Sequence, residues 1–255
     1  MAINQAPGNT DSRPGSMKVL GYFRSWFFPK GLFLVVLGPD GVGKSTTIRC
    51  LQLELQKHFG HCRTERWRPG LIRKVTADTG NRIPHAKVSR GSLSSALSIL
   101  GLTLDFSIGY VVSAYPAMTR SEAIIFDRYF HDLLIDPKRY RYAGPMWLPH
   151  LLSRCIPPRR AIFVVLDADE ELILSRKQEL PLHELKRQRL AYKAFAARVP
   201  QAMIIRTDKP VGEIVSEIII NILAIRNSRS ATAAGNWPRQ DVNLASQSPD
   251  SRPYR

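Results

Sequence analysis

A lysine and a serine set directly behind three glycines are the first residues in this chain whose types and spacing could do chemistry. The stretch GPDGVGKST, residues Gly38, Pro39, Asp40, Gly41, Val42, Gly43, Lys44, Ser45 and Thr46, matches the pattern GxxxxGK[ST]. Glycines let backbone N–H groups turn inward around a phosphate, and a helix that follows presents further unpaired N–H groups to the anion. Lys44 adds a point charge toward the β and γ phosphates, and the Ser45 hydroxyl can ligate Mg²⁺. The cofactors expected from this pattern are therefore ATP and Mg²⁺, with all nine residues in contact with the nucleotide. Such loops also serve switches, motors and transporters. A GTPase would need NKxD on a later strand, and TDKP at Thr207–Pro210 does not match it. No second nucleotide-binding half is present to support a motor or a transporter.

A second group of reactive types stands in AIIFDRYFHDLL, Ala123–Leu134. An apolar run ends there in Asp127 and Arg128, and in open α/β sheets ligands sit beyond the carboxyl ends of the strands. Asp127 is placed to hold the magnesium shell, and Arg128 to clamp an acceptor phosphate bidentately. The competing reading is a strand-end ion pair with no ligand.

The elements that must position these residues alternate along the chain. Strands are predicted at Leu32–Leu37, Arg63–Trp67, Ala123–Asp127, Ala161–Asp167 and Ala202–Arg206. After the first, Ile48, Leu51, Leu55 and Phe59 recur at helical spacing. Further helices are predicted at Ser92–Ala117, Pro145–Cys155, Glu170–Lys177, Leu182–Arg198 and Val211–Arg226. Strands alternating with helices predict an α/β fold: a doubly wound parallel sheet of about five strands flanked by helices, in a single domain. The expected divisions are a disordered tail over 1–16, an aromatic and basic segment over 17–30, the domain over 31–227 and a second disordered tail over 228–255. The basic stretch Leu71–Ser92 reads as a solvated loop.

With 37 Lys and Arg against 21 Asp and Glu, the net charge is +16 over 255 residues. Such charge admits nucleic acid, an anionic membrane surface or phosphorylated small molecules as partners and does not choose among them. Cys50, Cys62 and Cys155 form no CxxC pair and leave an odd count, which fits a reducing compartment. The apolar start Met17–Leu37 carries Arg24 and Lys30 and no small-residue cleavage site, so a cytoplasmic location is expected. Ile99–Met118 approaches the length of a membrane span, but Asp105 lies within it, and a buried core helix is the expected reading.

GPDGVGKST together with FDRY resembles the thymidylate kinase family of nucleoside monophosphate kinases, over roughly Phe33–Leu223 in order of elements. The resemblance implies phosphoryl transfer from ATP to a phosphorylated small molecule, with Asp40 near the acceptor's sugar and Arg128 near its phosphate. It implies a basic lid, located here at Leu174–Leu190, with Arg176 as the cation that meets the transferring group and Lys177, Arg187 and Arg189 as competitors. The set carrying catalysis is then Lys44, Asp127, Arg128 and Arg176, with Ser45 and Asp127 on the metal. Base stacking in the family implies Phe106 or Tyr110, with Trp67 as an alternative; aromatics at helical spacing on an apolar segment usually pack in the core, and at least one of Phe106 and Tyr110 is expected to do so. The family's TREPG is replaced by RWRPG, Arg66–Gly70, so that Arg68 stands where a glutamate is expected and becomes an acceptor-binding candidate. The family's serine-rich continuation after the DR motif is replaced by HDLLIDPKRYRYAGP, His131–Pro145. These two departures keep a sugar or sugar phosphate open as acceptor. The charge keeps a nucleotide-dependent protein that binds nucleic acid or membrane surfaces open, with nucleic acid the less favoured partner. A homodimer is implied by the resemblance alone.

Overall fold

The computed structural model describes residues 30–66, 92–158, 160–178 and 180–233. Trp67, Arg68, the stretch 71–91, the segment 17–29 and the tails beyond 233 and before 17 lie outside the described residues. Five strands form one parallel sheet in the order β2-β3-β1-β4-β5. They are β1 (Leu32–Leu37), β2 (Cys62–Arg66), β3 (Ala123–Asp127), β4 (Ile162–Asp167) and β5 (Ala202–Arg206). The described helices are α1 (Lys44–Phe59), α2 (Ser92–Gly109), α3 (Tyr115–Thr119), α4 (Asp132–Ile135), α5 (Trp147–Ser153), α6 (Glu170–Arg176), α7 (Leu182–Arg198) and α8 (Val211–Ala233). The fold expected from the alternation is the fold observed.

Every residue of β1 is buried, as a central parallel strand covered on both faces requires. Its alternate side chains feed two separate cores. Phe33, Val35 and Leu37 pack with Ile124, Phe126, Phe163 and Val165 beneath Ile99, Leu102 and Phe106 of α2 and Tyr192 of α7. Leu32, Leu34 and Val36 pack with Ile125, Ile162, Val164 and Leu166 beneath Ile48, Leu51 and Leu55 of α1 and Ile214 and Ile218 of α8. The period-two pattern within each strand thus assigns which helices cover which face.

The predicted helix over 92–117 is a continuous column of α2, a single π turn at Tyr110–Ala114 and α3. Only one side of it is core. Leu97, Leu100, Leu104, Ile108, Val111 and Val112 are exposed along the other side, so the buried helix expected from composition is half buried. Ser94–Thr119 is long and apolar enough to cross a membrane, although Asp105 within it is fully buried in the domain. At the other end of the chain α8 continues to Ala233, past residue 227 where the domain was expected to end. The short helix α4 falls in the stretch for which no element was predicted; four residues are too few to show a period.

Beyond the end of β3, the His131 ring lies among Tyr129, Phe130, Phe163 and Phe195, with centroid separations of 5.0–6.5 Å. Burial among these rings pushes its pKa down from an ordinary 6.5 to about 4. Between those values the unfolded chain binds a proton that the folded chain does not, so stability is lost as pH falls through that window. The loss reaches about 3 kcal/mol when complete. Denaturant midpoints at pH 7 and pH 4.5 check this. The variant His131→Phe is expected to lose roughly 2–3 kcal/mol less than the parent over that interval, and an unchanged difference between the two pH values would remove His131 as its cause.

Candidate active site

The loop expected to bind phosphate joins β1 to α1, and its shape depends on backbone conformations closed to most side chains. Gly38 has φ +145°, and a Cβ there would stand 2.7 Å from the Leu166 carbonyl oxygen. Gly41 has φ +87°, and a Cβ there would stand 2.9 Å from the Ile173 carbonyl oxygen. The loop is therefore pressed against β4 and α6. Thr207, just beyond β5, tightens the same wall by donating its hydroxyl to the Val42 carbonyl at 2.8 Å. Lys44 is buried, and its ammonium donates to the carbonyls of Gly38 at 2.8 Å and Pro39 at 2.7 Å. Burial, and then the charge of Arg128, hold its pKa well below the ordinary lysine value. An anion beside it would favour its charged form.

Strand β3 delivers the second half of the site. Asp127 pairs in register with Val36 of β1, the position just before Leu37 closes that strand. Its Oδ1 is buried and has no hydrogen-bond partner. An orphaned carboxylate oxygen is the donor that a hard cation takes, so Asp127 fits a magnesium shell. Ser45, expected as a second metal ligand, is exposed at the start of α1. Among the described residues no three His, Cys, Asp or Glu side chains come together to hold a metal. Mg²⁺ bound with a nucleotide needs only one or two protein ligands, the phosphates and water supplying the rest.

Arg128 follows in the left-handed region at φ +70°, a strained conformation for a side chain of this size. Its backbone N–H donates to the Val36 carbonyl at 3.0 Å, which keeps the residue on β1 as the chain leaves the sheet. The guanidinium bridges two carboxylates, Asp132 Oδ2 at 2.7 Å and Asp40 Oδ1 at 2.5 Å. Burial is the largest influence and opposes its charge, but Asp132, Tyr192 and Tyr140 together outweigh it, and the net shift is upward. The loop after β1 and the end of β3 therefore meet at Arg128 and Asp40. Asp40 also accepts from Arg139 and lies 3.6 Å from the Lys44 ammonium, so three cations surround one carboxylate. Behind Arg128, the fully buried Asp132 accepts from Tyr140 and Tyr192, each at 2.5 Å.

The basic residues after β4 separate by what they touch. Arg176 lies against the loop and donates to the carbonyls of Val42 at 3.4 Å and Thr207 at 3.2 Å. Arg187 is engaged with Glu184 and the Ile135 carbonyl, and Arg189 with Asp167 and Glu170. Of the arginines weighed for the lid cation, Arg176 is the one at the phosphate loop.

One expected site residue is corrected. Phe106 is fully buried, packed edge-on against Tyr129 at 4.6 Å and Phe130 at 5.9 Å, and is core rather than a stacking surface. The family resemblance brought it forward, whereas its helical spacing on an apolar segment is the spacing of a core face. Tyr110 is partly buried and packs on Phe33 and Tyr115. Arg68 lies outside the described residues. Arg139, Asp132, Tyr140, Tyr192 and Thr207 were not singled out from sequence. The only signal for three of them was the density of Asp, Arg and Tyr in His131–Pro145, and for Asp132 its place four residues after Arg128.

With this geometry in place, comparison with solved structures finds the crystal structure of thymidylate kinase from Ehrlichia chaffeensis, at a TM-score of 0.55 and 19% identity, over 76% of this chain and 100% of that one. The fold is thymidylate-kinase-like. No family model matches the chain, and no curated protein matches it. At this identity the likeness concerns the path of the backbone, and the side chains must carry any functional argument.

Asp132 is the buried anchor of Arg128. Asp132→Ala leaves the buried Arg128 without its inner partner and is expected to lower the unfolding free energy by about 3–5 kcal/mol in guanidinium titrations. A loss under about 1 kcal/mol would mean that water replaces the carboxylate and that the network is not what holds Arg128.

Proposed function

We propose that this protein is an ATP-dependent kinase that transfers a phosphoryl group to a small phosphorylated acceptor, with a nucleoside monophosphate as the first candidate. The observation that carries the reading is the 2.5 Å contact between Arg128 at the end of β3 and Asp40 inside the phosphate loop. Two phosphates bound at those two places would share one cleft, which transfer between them requires.

In this reading the loop amides and Lys44 hold the nucleotide's phosphates, Lys44 exchanging its two carbonyl partners for phosphate oxygens. Asp127 and Ser45 hold Mg²⁺, which when bound offsets phosphate charge. Arg128 orients the acceptor, and Arg176, already against the loop, supplies a cation as charge spreads over the transferring oxygens. A phosphate acceptor needs no strong general base. Catalysis is then positioning and charge neutralisation, as is general for this reaction.

A sugar or sugar phosphate is the second reading. It is favoured by the burial of Phe106, which removes one base-stacking surface. A transfer assay with ATP against nucleoside monophosphates, sugars and sugar phosphates separates the two. The first reading expects turnover of a nucleoside monophosphate, and turnover of sugars alone would replace it with the second. In either case Lys44→Ala is expected to lower turnover by at least about 10²-fold, and unchanged turnover would refute the task given to the loop.

A further inference from the structure

We propose that Arg139 is a second acceptor-binding residue, which forms with Arg128 a clamp for a phosphate-like dianion at the position the Asp40 carboxylate marks. The proposal deepens the kinase reading and rests on it for the use of the cleft.

The two guanidiniums approach one carboxylate from either end of α4. Arg128 reaches Asp40 Oδ1 at 2.5 Å, and Arg139 reaches Asp40 Oδ2. Each is steadied from behind by a different buried carboxylate. Arg128 is held by Asp132 at 2.7 Å. Arg139 lies 3.5 Å from Asp136 Oδ2, and its backbone N–H donates to Asp136 Oδ1 at 3.2 Å. Asp136 is itself fixed by Gln188, which donates to it at 3.1 Å. The forward edges of both arginines are thus set in place independently of Asp40.

Two fixed guanidiniums directed at one point are a geometry for an oxyanion with more than one charged oxygen. A carboxylate satisfies one donor on each oxygen. A phosphomonoester brings three oxygens and a second charge, which two guanidinium forks hold more fully than they hold one carboxylate. Asp40 sits on the phosphate loop 3.6 Å from Lys44, so an anion taking its place on the arginines adjoins the nucleotide's end of the cleft. Acceptor binding is then an exchange: the dianion takes the guanidinium pair, and Asp40 turns to the rest of the acceptor. A fixed brace, with Arg139 tying the loop to the sheet permanently, is the alternative, and it makes opposite predictions.

The test uses the full chain and inorganic phosphate as the probe. Phosphate is titrated calorimetrically with the phosphate loop saturated by Mg²⁺ and β,γ-imido ATP, and in parallel in the Lys44→Ala chain without nucleotide. Failure of the nucleotide analogue to bind the parent would sink the kinase reading, while the parallel titration still reads the arginine pair. Arg139→Ala is expected to weaken phosphate at least tenfold in both settings and to change analogue affinity by less than twofold. Arg139→Lys, which keeps the charge and loses the fork, is expected to fall between and serves if the alanine variant does not fold. Asp40→Asn, which removes the competing charge, is expected to bind phosphate at least as tightly as the parent. Unchanged phosphate affinity in the Arg139 variants, equal loss of analogue and phosphate, or weaker phosphate binding in Asp40→Asn would each overturn the proposal.

Discussion

One ion pair determines how the two ends of the site relate. The Arg128 guanidinium, leaving β3, spans 88 residues of sequence to reach Asp40 in the loop after β1. A parallel sheet in which β3 lies beside β1 makes that reach short, because Asp127 and Val36 are already in register. Had β2 been the neighbour of β1, the same motifs would have opened a strand's width apart, about 5 Å further. The order β2-β3-β1-β4-β5 puts β1 between strands whose connections run to opposite sides, which is where open α/β sheets form their ligand crevice.

The charged residues of this cleft are held by the opposed demands of burial and pairing. Lys44 is buried and held by carbonyls, and its pKa is depressed. Arg128 is nearly as buried and its charge is reinforced, because Asp132 stands directly against it. The difference gives each cation a different character. Lys44 gains most from an incoming anion, whereas Arg128 arrives with its charge secured and its direction fixed. Asp132 in turn is kept in a dry site by the hydroxyls of Tyr140 and Tyr192, whose own pKa values burial raises first and Asp132 further.

The strands were legible in the sequence because they are either wholly buried apolar runs or end at Pro and polar residues. Leu32–Leu37, Ala123–Asp127 and Ala202–Arg206 carry the predicted limits unchanged, as does the helix Leu182–Arg198. The glycine-built turn between β1 and α1 was legible because glycine spacing before a helix is a local feature. Arg139 and Thr207 were not, since each acts on a residue 99 or 165 positions away, and nothing within a local window marks them. Phe106 was proposed for stacking by the family resemblance, while its helical spacing on an apolar segment marked a face that packs, and that face meets the sheet.

The most direct measurement of whether donor and acceptor share this cleft is a crystal structure with Mg²⁺, β,γ-imido ATP and the acceptor that turns over. The account predicts the γ-phosphate beside Lys44 and the acceptor phosphate on Arg128, with attacking oxygen and phosphorus about 3–3.5 Å apart. An acceptor lodged away from Arg128, or separated from the γ-phosphate by the sheet, would contradict it.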